Sequence, residues 1–167
     1  SALLKSQAAD GNLVIGHSAL DRMVGNNNTS HNTIVGHHAA GDMTNNNDFA
    51  YNVYIGGRAG YIADYGYNVG IGFDAMRATG VGSPSQSIAI GYEAFRYVGD
   101  AHNNIGIGHQ VASGSLVQGD GNIFIGKWVN ATGHGGEDIS NQIKIGYDNV
   151  IPISASISHF WWMIMLV

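Results

Sequence analysis

The chain contains no cysteine and only two prolines in 167 residues. Without cysteine there is neither a disulfide scaffold nor a thiolate zinc site, and the compartment is left open. Charge is scarce too: Lys, Arg, Asp and Glu make up 11% of the residues, against about a quarter in an average soluble protein. A chain so short of these residues is not built mainly of surface helices, because helix propensity and solvation both draw on them. The net charge of −5 comes with no basic stripe, so a nucleic-acid groove has no electrostatic footprint and no nucleic-acid partner is expected. No long apolar run follows the N-terminus: residues 1–20 include Lys5 and Asp10 and do not read as a signal peptide. The one uninterrupted apolar stretch, residues 160–167, is too short to cross a bilayer as a helix, so membrane insertion is not expected.

What the chain does have is 25 glycines, with Asn, Ile and Val frequent beside them, a composition of short strands and tight turns. These residues recur in one unit, Asn-x-x-Ile-Gly-x-x-Ala. Its copies are Asn12 to Ala19, Asn32 to Ala39, Asn52 to Ala59, Asn68 to Ala75, Ser87 to Ala94, Asn104 to Val111, Asn122 to Val129 and a degenerate Gln142 to Asn149. The motif glycines fall at 16, 36, 56, 72, 91, 108, 126 and 146. Spacings of 16–20 residues fit neither a heptad nor a helical repeat of about 30 residues or more. They fit one lap of a solenoid whose turns absorb small insertions. The fold expected is all-β: a parallel β-solenoid (β-helix or β-roll) of about eight coils. Residues 1–11 form a lead-in, 12–150 the repeat domain and 151–167 a C-terminal apolar cap or tail.

Columns down the repeat suggest faces. The position before the glycine is always Ile or Val: Ile15, Val35, Ile55, Ile71, Ile90, Ile107, Ile125 and Ile145. Two residues earlier stand Leu13, Thr33, Val53, Val69, Ile88, Ile105, Ile123 and Ile143. Positions two apart share a strand face, so both columns are expected in the core, with the first as its central stack. The column between them holds Val14, Ile34, Tyr54, Gly70, Ala89, Gly106, Phe124 and Lys144. It then points outward, and its apolar members mark a subunit contact. Val14, Ile34, Tyr54 and Phe124, with Trp161 and Trp162 of the apolar tail, are the interface candidates. The column two after the glycine, Ser18, His38, Arg58, Asp74, Glu93, Gln110, Trp128 and Asp148, is polar and expected to be exposed. The leading Asn is suited to an amide ladder between coils.

Signs of chemistry are few. His17 and His37 occupy one column on adjacent coils, with His38 beside them. They are weak candidates for a metal site, set against a plain surface role, and no cofactor is expected. The acids mark no column that would pair two carboxylates for glycoside hydrolysis. No nucleophile elbow or phosphate loop is present. The chain is not expected to be an enzyme. Sugar binding is the activity that the residues suit, by stacking on Tyr54, Tyr61, Tyr65, Tyr67, Tyr92 or Trp128 beside Asn and Asp groups. The alternative is that these rings brace loops or subunit contacts.

The Asn-x-x-Ile-Gly-x-x-Ala unit, as in Asn52 to Ala59, resembles repeats of bacteriophage tail fibres and tailspikes, over roughly residues 12–149. It is also similar to the head repeats of trimeric autotransporter adhesins, whose repeat is usually shorter. The resemblance implies a homotrimer on a virion or at an extracellular surface. Its partners would be a host cell-surface glycan or protein and other tail or fibre proteins. A third likeness is to the hexapeptide repeat of left-handed β-helix acyltransferases, but only one side of each coil matches. Under that reading, His17, His37 or His109 would be the catalytic candidates.

Overall fold

Between the leading Asn and the glycine each repeat offers a short run rich in β-branched residues, and each run forms one strand. In the computed structural model, which describes residues 11–21, 29–43, 48–63, 65–78, 84–114, 119–131 and 139–147, the strands are β1 (Leu13–Ile15), β2 (Thr33–Val35), β3 (Val53–Ile55), β4 (Val69–Ile71), β5 (Ile88–Ile90), β6 (Ile105–Ile107), β7 (Ile123–Lys127) and β8 (Ile143–Tyr147). They make one sheet in strict sequence order, and every pairing is parallel. The described residues include no helix. The fold is an all-β parallel solenoid. It makes about six turns, slightly fewer than the eight coils expected.

The repeat spacing fixes the register. Leu13 pairs with Thr33 across twenty residues and Val53 with Val69 across sixteen, yet both pairs hold the same motif position. Length differences are therefore taken up in the return path.

The faces are the reverse of those expected. Ile34, Tyr54, Ala89 and Phe124 are fully buried, and Lys144 is nearly so. Ile15 is 54% exposed and Leu13 51%, with Ile55, Ile107 and Ile145 also exposed. The middle column fills the interior, and the two uniform Ile/Val columns stand on the outside of the sheet. The physical reason is width. One lap of 16–20 residues encloses little space, so inward positions must trade volume with the rest of the coil. Tyr54 lies over Gly60 and Gly70, and Phe95 over Gly106. A Cβ on Gly60 or Gly70 would come within 2.7 Å of the Tyr54 ring. A column of uniformly large Ile would overfill this interior. The interior is completed by Ala19, Ala39, Ala59, Ala75, Ala94 and Val111, and by Leu20, Ala40, Met76, Phe95 and Ala112 one position later. Each large apolar side chain fully buried this way contributes roughly 1.5–3 kcal/mol.

The leading Asn lies two residues before the middle column and shares its inward direction. Asn32, Asn52, Asn68, Ser87, Asn104 and Asn122 are all buried. Each side-chain oxygen accepts a hydrogen bond from the backbone N–H at the same position of the following coil. The first links, Asn12 to Asn32, Asn32 to Asn52 and Asn52 to Asn68, are each 2.9 Å. Ser87 continues the series through its hydroxyl, and Asn104 and Asn122 extend it to Gln142. The amide nitrogens donate to return-path carbonyls of Phe49, Pro84 and Gly119. The expected amide ladder is present, running from side chain to backbone.

The motif glycine is required by close approach. Gly16, Gly36, Gly56, Gly72, Gly91, Gly108 and Gly126 have φ between +131° and +141°. A Cβ on any of them would fall on the carbonyl oxygen of the next glycine in the column. Just past it, residues such as Ser18, Leu20, Asp74 and Met76 are left-handed, and inter-coil bonds hold the bend, for example His38 N–H to His17 O at 3.0 Å and Leu20 N–H to Ala39 O at 3.0 Å.

Candidate functional site

Because the small interior takes the middle column, the chain presents its most uniform hydrophobic surface outward. On one side of the sheet stand Leu13, Thr33, Val53, Val69, Ile88, Ile105, Ile123 and Ile143 beside Ile15, Val35, Ile55, Ile71, Ile90, Ile107, Ile125 and Ile145. Every one is exposed or half-buried. Together they form one continuous, mostly apolar face, the kind of surface that marks an interaction site. Val14 is half-buried against the core, and Ile34, Tyr54 and Phe124 are enclosed within it. Ile34, Tyr54 and Phe124 are therefore not available to a partner subunit. Trp161 and Trp162, like the rest of the apolar tail, lie outside the described residues.

Exposed rings flank the two aliphatic columns. Just before the Asn, the rings of His31, Tyr51 and Tyr67 stack at 5.0 and 5.1 Å. Just after the glycine, Phe73, Tyr92 and His109 stack at 5.8 and 5.1 Å, and Trp128 joins at an angle, with Tyr147 beyond it. Both ladders arise because one repeat position recurs at the inter-strand spacing. Of the expected sugar-stacking residues, Tyr67 is 61% exposed and Tyr65 and Tyr92 are also open to solvent. Tyr61 is half-buried, its hydroxyl donating to Asp42. Trp128 is half-buried and donates its ring N–H to Gln110. Tyr54 is wholly enclosed and cannot meet a ligand. His31, Phe73, His109 and Tyr147 are ladder members that a search for tyrosine clusters passes over; their signal is their column.

The column two after the glycine is polar as expected, but it is not an exposed row. Asp74 is fully buried and Glu93 nearly so. Arg58 meets Asp74 at 2.8 Å, while Arg77 and Arg96 approach it at 3.6 Å. Arg96 also pairs with Glu93 at 2.7 Å, and Gln110 donates to the same carboxylate at 2.7 Å. These two acids occupy one column on successive coils. Burial pushes the Glu93 carboxyl up, but hydrogen bonds from Gln110, Arg96 and Tyr92 outweigh it and hold the group below its ordinary value. A carboxylate so held is a fixed anion tying coils together, not a proton donor. Glu137, Asp138 and Asp148 lie outside the described residues.

At the end of the middle column Lys144 enters the interior, where burial lowers its pKa. Its ammonium donates to the Asn130 carbonyl at 2.7 Å.

The structure brings His17, His37 and His38 together. One ligating atom from each lies within 4.8 Å of the others. His17 and His37 stack at 5.4 Å, and His38 meets His37 edge-on at 4.2 Å. No helix of the described residues is long and apolar enough to cross a membrane. Against known proteins, no family model, curated protein or solved structure matches the chain.

Proposed function

We propose that this chain is a rigid, non-enzymatic segment of a homotrimeric attachment fibre of the bacteriophage tail type. Three parallel solenoids would bury their Ile/Val sheet faces against one another, leaving the return paths and part of the aromatic ladders for surface contact. The observation that supports this most is the outward face itself. Two largely aliphatic columns run over all eight strands, and every member is exposed or half-buried. A second and third copy of the chain fit such a stripe because they repeat at the same spacing along its whole length. Head-on burial of Ile and Val also supplies stability that a cysteine-free rod cannot draw from disulfides. The trimeric state and the virion or extracellular setting follow from the repeat's resemblance to tail-fibre repeats, and Tyr65, Tyr67 and Tyr92 suit contact with a host glycan.

Assembly is tested by analytical ultracentrifugation of the purified chain at micromolar concentration, where a trimer supports the reading and a monomer ends it. A glycan array tests the contact role separately: binding that Tyr67→Ala abolishes supports sugar recognition, and the absence of any hit leaves a purely structural shaft.

A further inference from the structure

We infer that His17, His37 and His38 form a binding site for one divalent transition-metal ion of the zinc type, held within a single chain. The cluster is built by the solenoid's regularity. His17 and His37 follow the motif glycines of the first two coils, where the backbones are locked by the bond from His38 N–H to His17 O at 3.0 Å. His38 comes from the neighbouring column and has a left-handed backbone, φ 54°; its ring meets His37 edge-on rather than following the polar ladder. Elsewhere in the His17 column the positions are Gly57, Phe73, Tyr92, His109, Lys127 and Tyr147, so among the described residues only this pair of coils offers ligating rings on successive rungs with a third beside them.

The geometry is that of an open set able to close on an ion. The three nitrogens lie within 4.8 Å of one another, while imidazoles on tetrahedral zinc stand about 3.4 Å apart, given a Zn–N distance of about 2.1 Å. The difference is small enough for rotation about the side-chain torsions, since His17 and His37 are exposed and His38 half-buried. The described contacts of their side chains are the ring contacts to one another, so no side-chain hydrogen bond among the described residues has to break. Arg58, on the next coil, is drawn away to Asp74 and stacks over Phe73, which removes its charge from the site. Gly57 puts no side chain beside His37 on that coil. Neutral imidazoles select borderline ions such as Zn²⁺, Ni²⁺ and Cu²⁺, and three leave at least one position for water. A bound ion would clip β1, the edge strand of the sheet among the described residues, to β2.

The test uses the full chain, stripped with a chelator and titrated with Zn²⁺ by isothermal calorimetry, then with Co²⁺ read by its visible absorption. The expected result is one ion per chain with a dissociation constant in the micromolar range. His17→Gln, His37→Gln and His38→Gln should each weaken binding at least about tenfold, and His109→Gln should leave it unchanged. Circular dichroism of each variant separates loss of a ligand from loss of the fold. Three results would overturn the proposal: no saturable binding, binding that survives the three substitutions, or one ion per three chains, which would place the ion on a symmetry axis. The site does not require the trimer, so a monomer that binds zinc keeps this inference while ending the fibre reading.

Discussion

At the scale of the residue, the structure depends most on positions where a single atom decides the fit. Gly91 is one: its φ is +131° and a Cβ there would fall on the Gly108 carbonyl oxygen. Gly114 also has positive φ, +70°, but a Cβ there meets nothing within 4 Å. Gly114→Ala should cost about 1 kcal/mol, from backbone preference alone. Gly91→Ala must also push two coils apart and should cost several times more, about 3 kcal/mol or above. Chemical denaturation of the two variants compares them directly, and equal losses would mean that close coil approach is not what the glycine column serves. Glu93 gives a second test. Its folded pKa lies below the ordinary 4.5, so its contribution to stability is present above that value and is lost as pH falls through the folded one. Glu93→Gln should therefore destabilise the protein at neutral pH, with the gap from the parent chain closing on acidification. Thermal melts across that range would read it; a gap constant with pH would contradict the account.

At the scale of the element, each strand carries one inward residue between two outward ones. Much of this was legible in the sequence. The eight strands lie where the repeat puts them, the register follows the motif glycines, and the Asn ladder was expected. The direction of the side chains was not legible from hydrophobicity, because both faces of these strands are apolar. A uniform column of Ile and Val reads as core in an ordinary domain, whereas here uniformity marks the outside and variation in size marks the inside. Gly70 opposite Tyr54 and Gly106 against Phe95 are the compensations a narrow interior demands. The Asn column held a further clue, since Asn32 and Ile34 are two apart and must point the same way. The burial of Asp74 and Glu93 was not legible, because a polar column reads as exposed until the arginine and glutamine partners gathered around the two acids are seen. Adjacent substitutions in β5 test the assignment. Ala89→Asp buries an unpaired carboxylate and should abolish the folded state. Ile90→Asp, one residue on, should leave the β-sheet circular dichroism signal intact. The reverse pattern would restore the opposite facing.

At the scale of the whole molecule, a rod with a narrow interior has limited core for its length, and its largest apolar surface lies outside. Covering that surface with identical chains would give the rod a second hydrophobic core along its axis, and the chain's low charge suits it to such contact. Arg58, Arg77 and Arg96 gather instead around Asp74 and Glu93, where they join coils without interrupting the aliphatic face. The most direct measurement is the solution mass of the parent chain and of the double variant Ile90→Asp/Ile107→Asp, by sedimentation equilibrium at micromolar concentration. The parent should have three times the single-chain mass of 17.6 kDa, and the variant should be a folded monomer. A monomeric parent, or a variant that still assembles, would contradict the claim that the outward Ile/Val face is where copies of this chain meet.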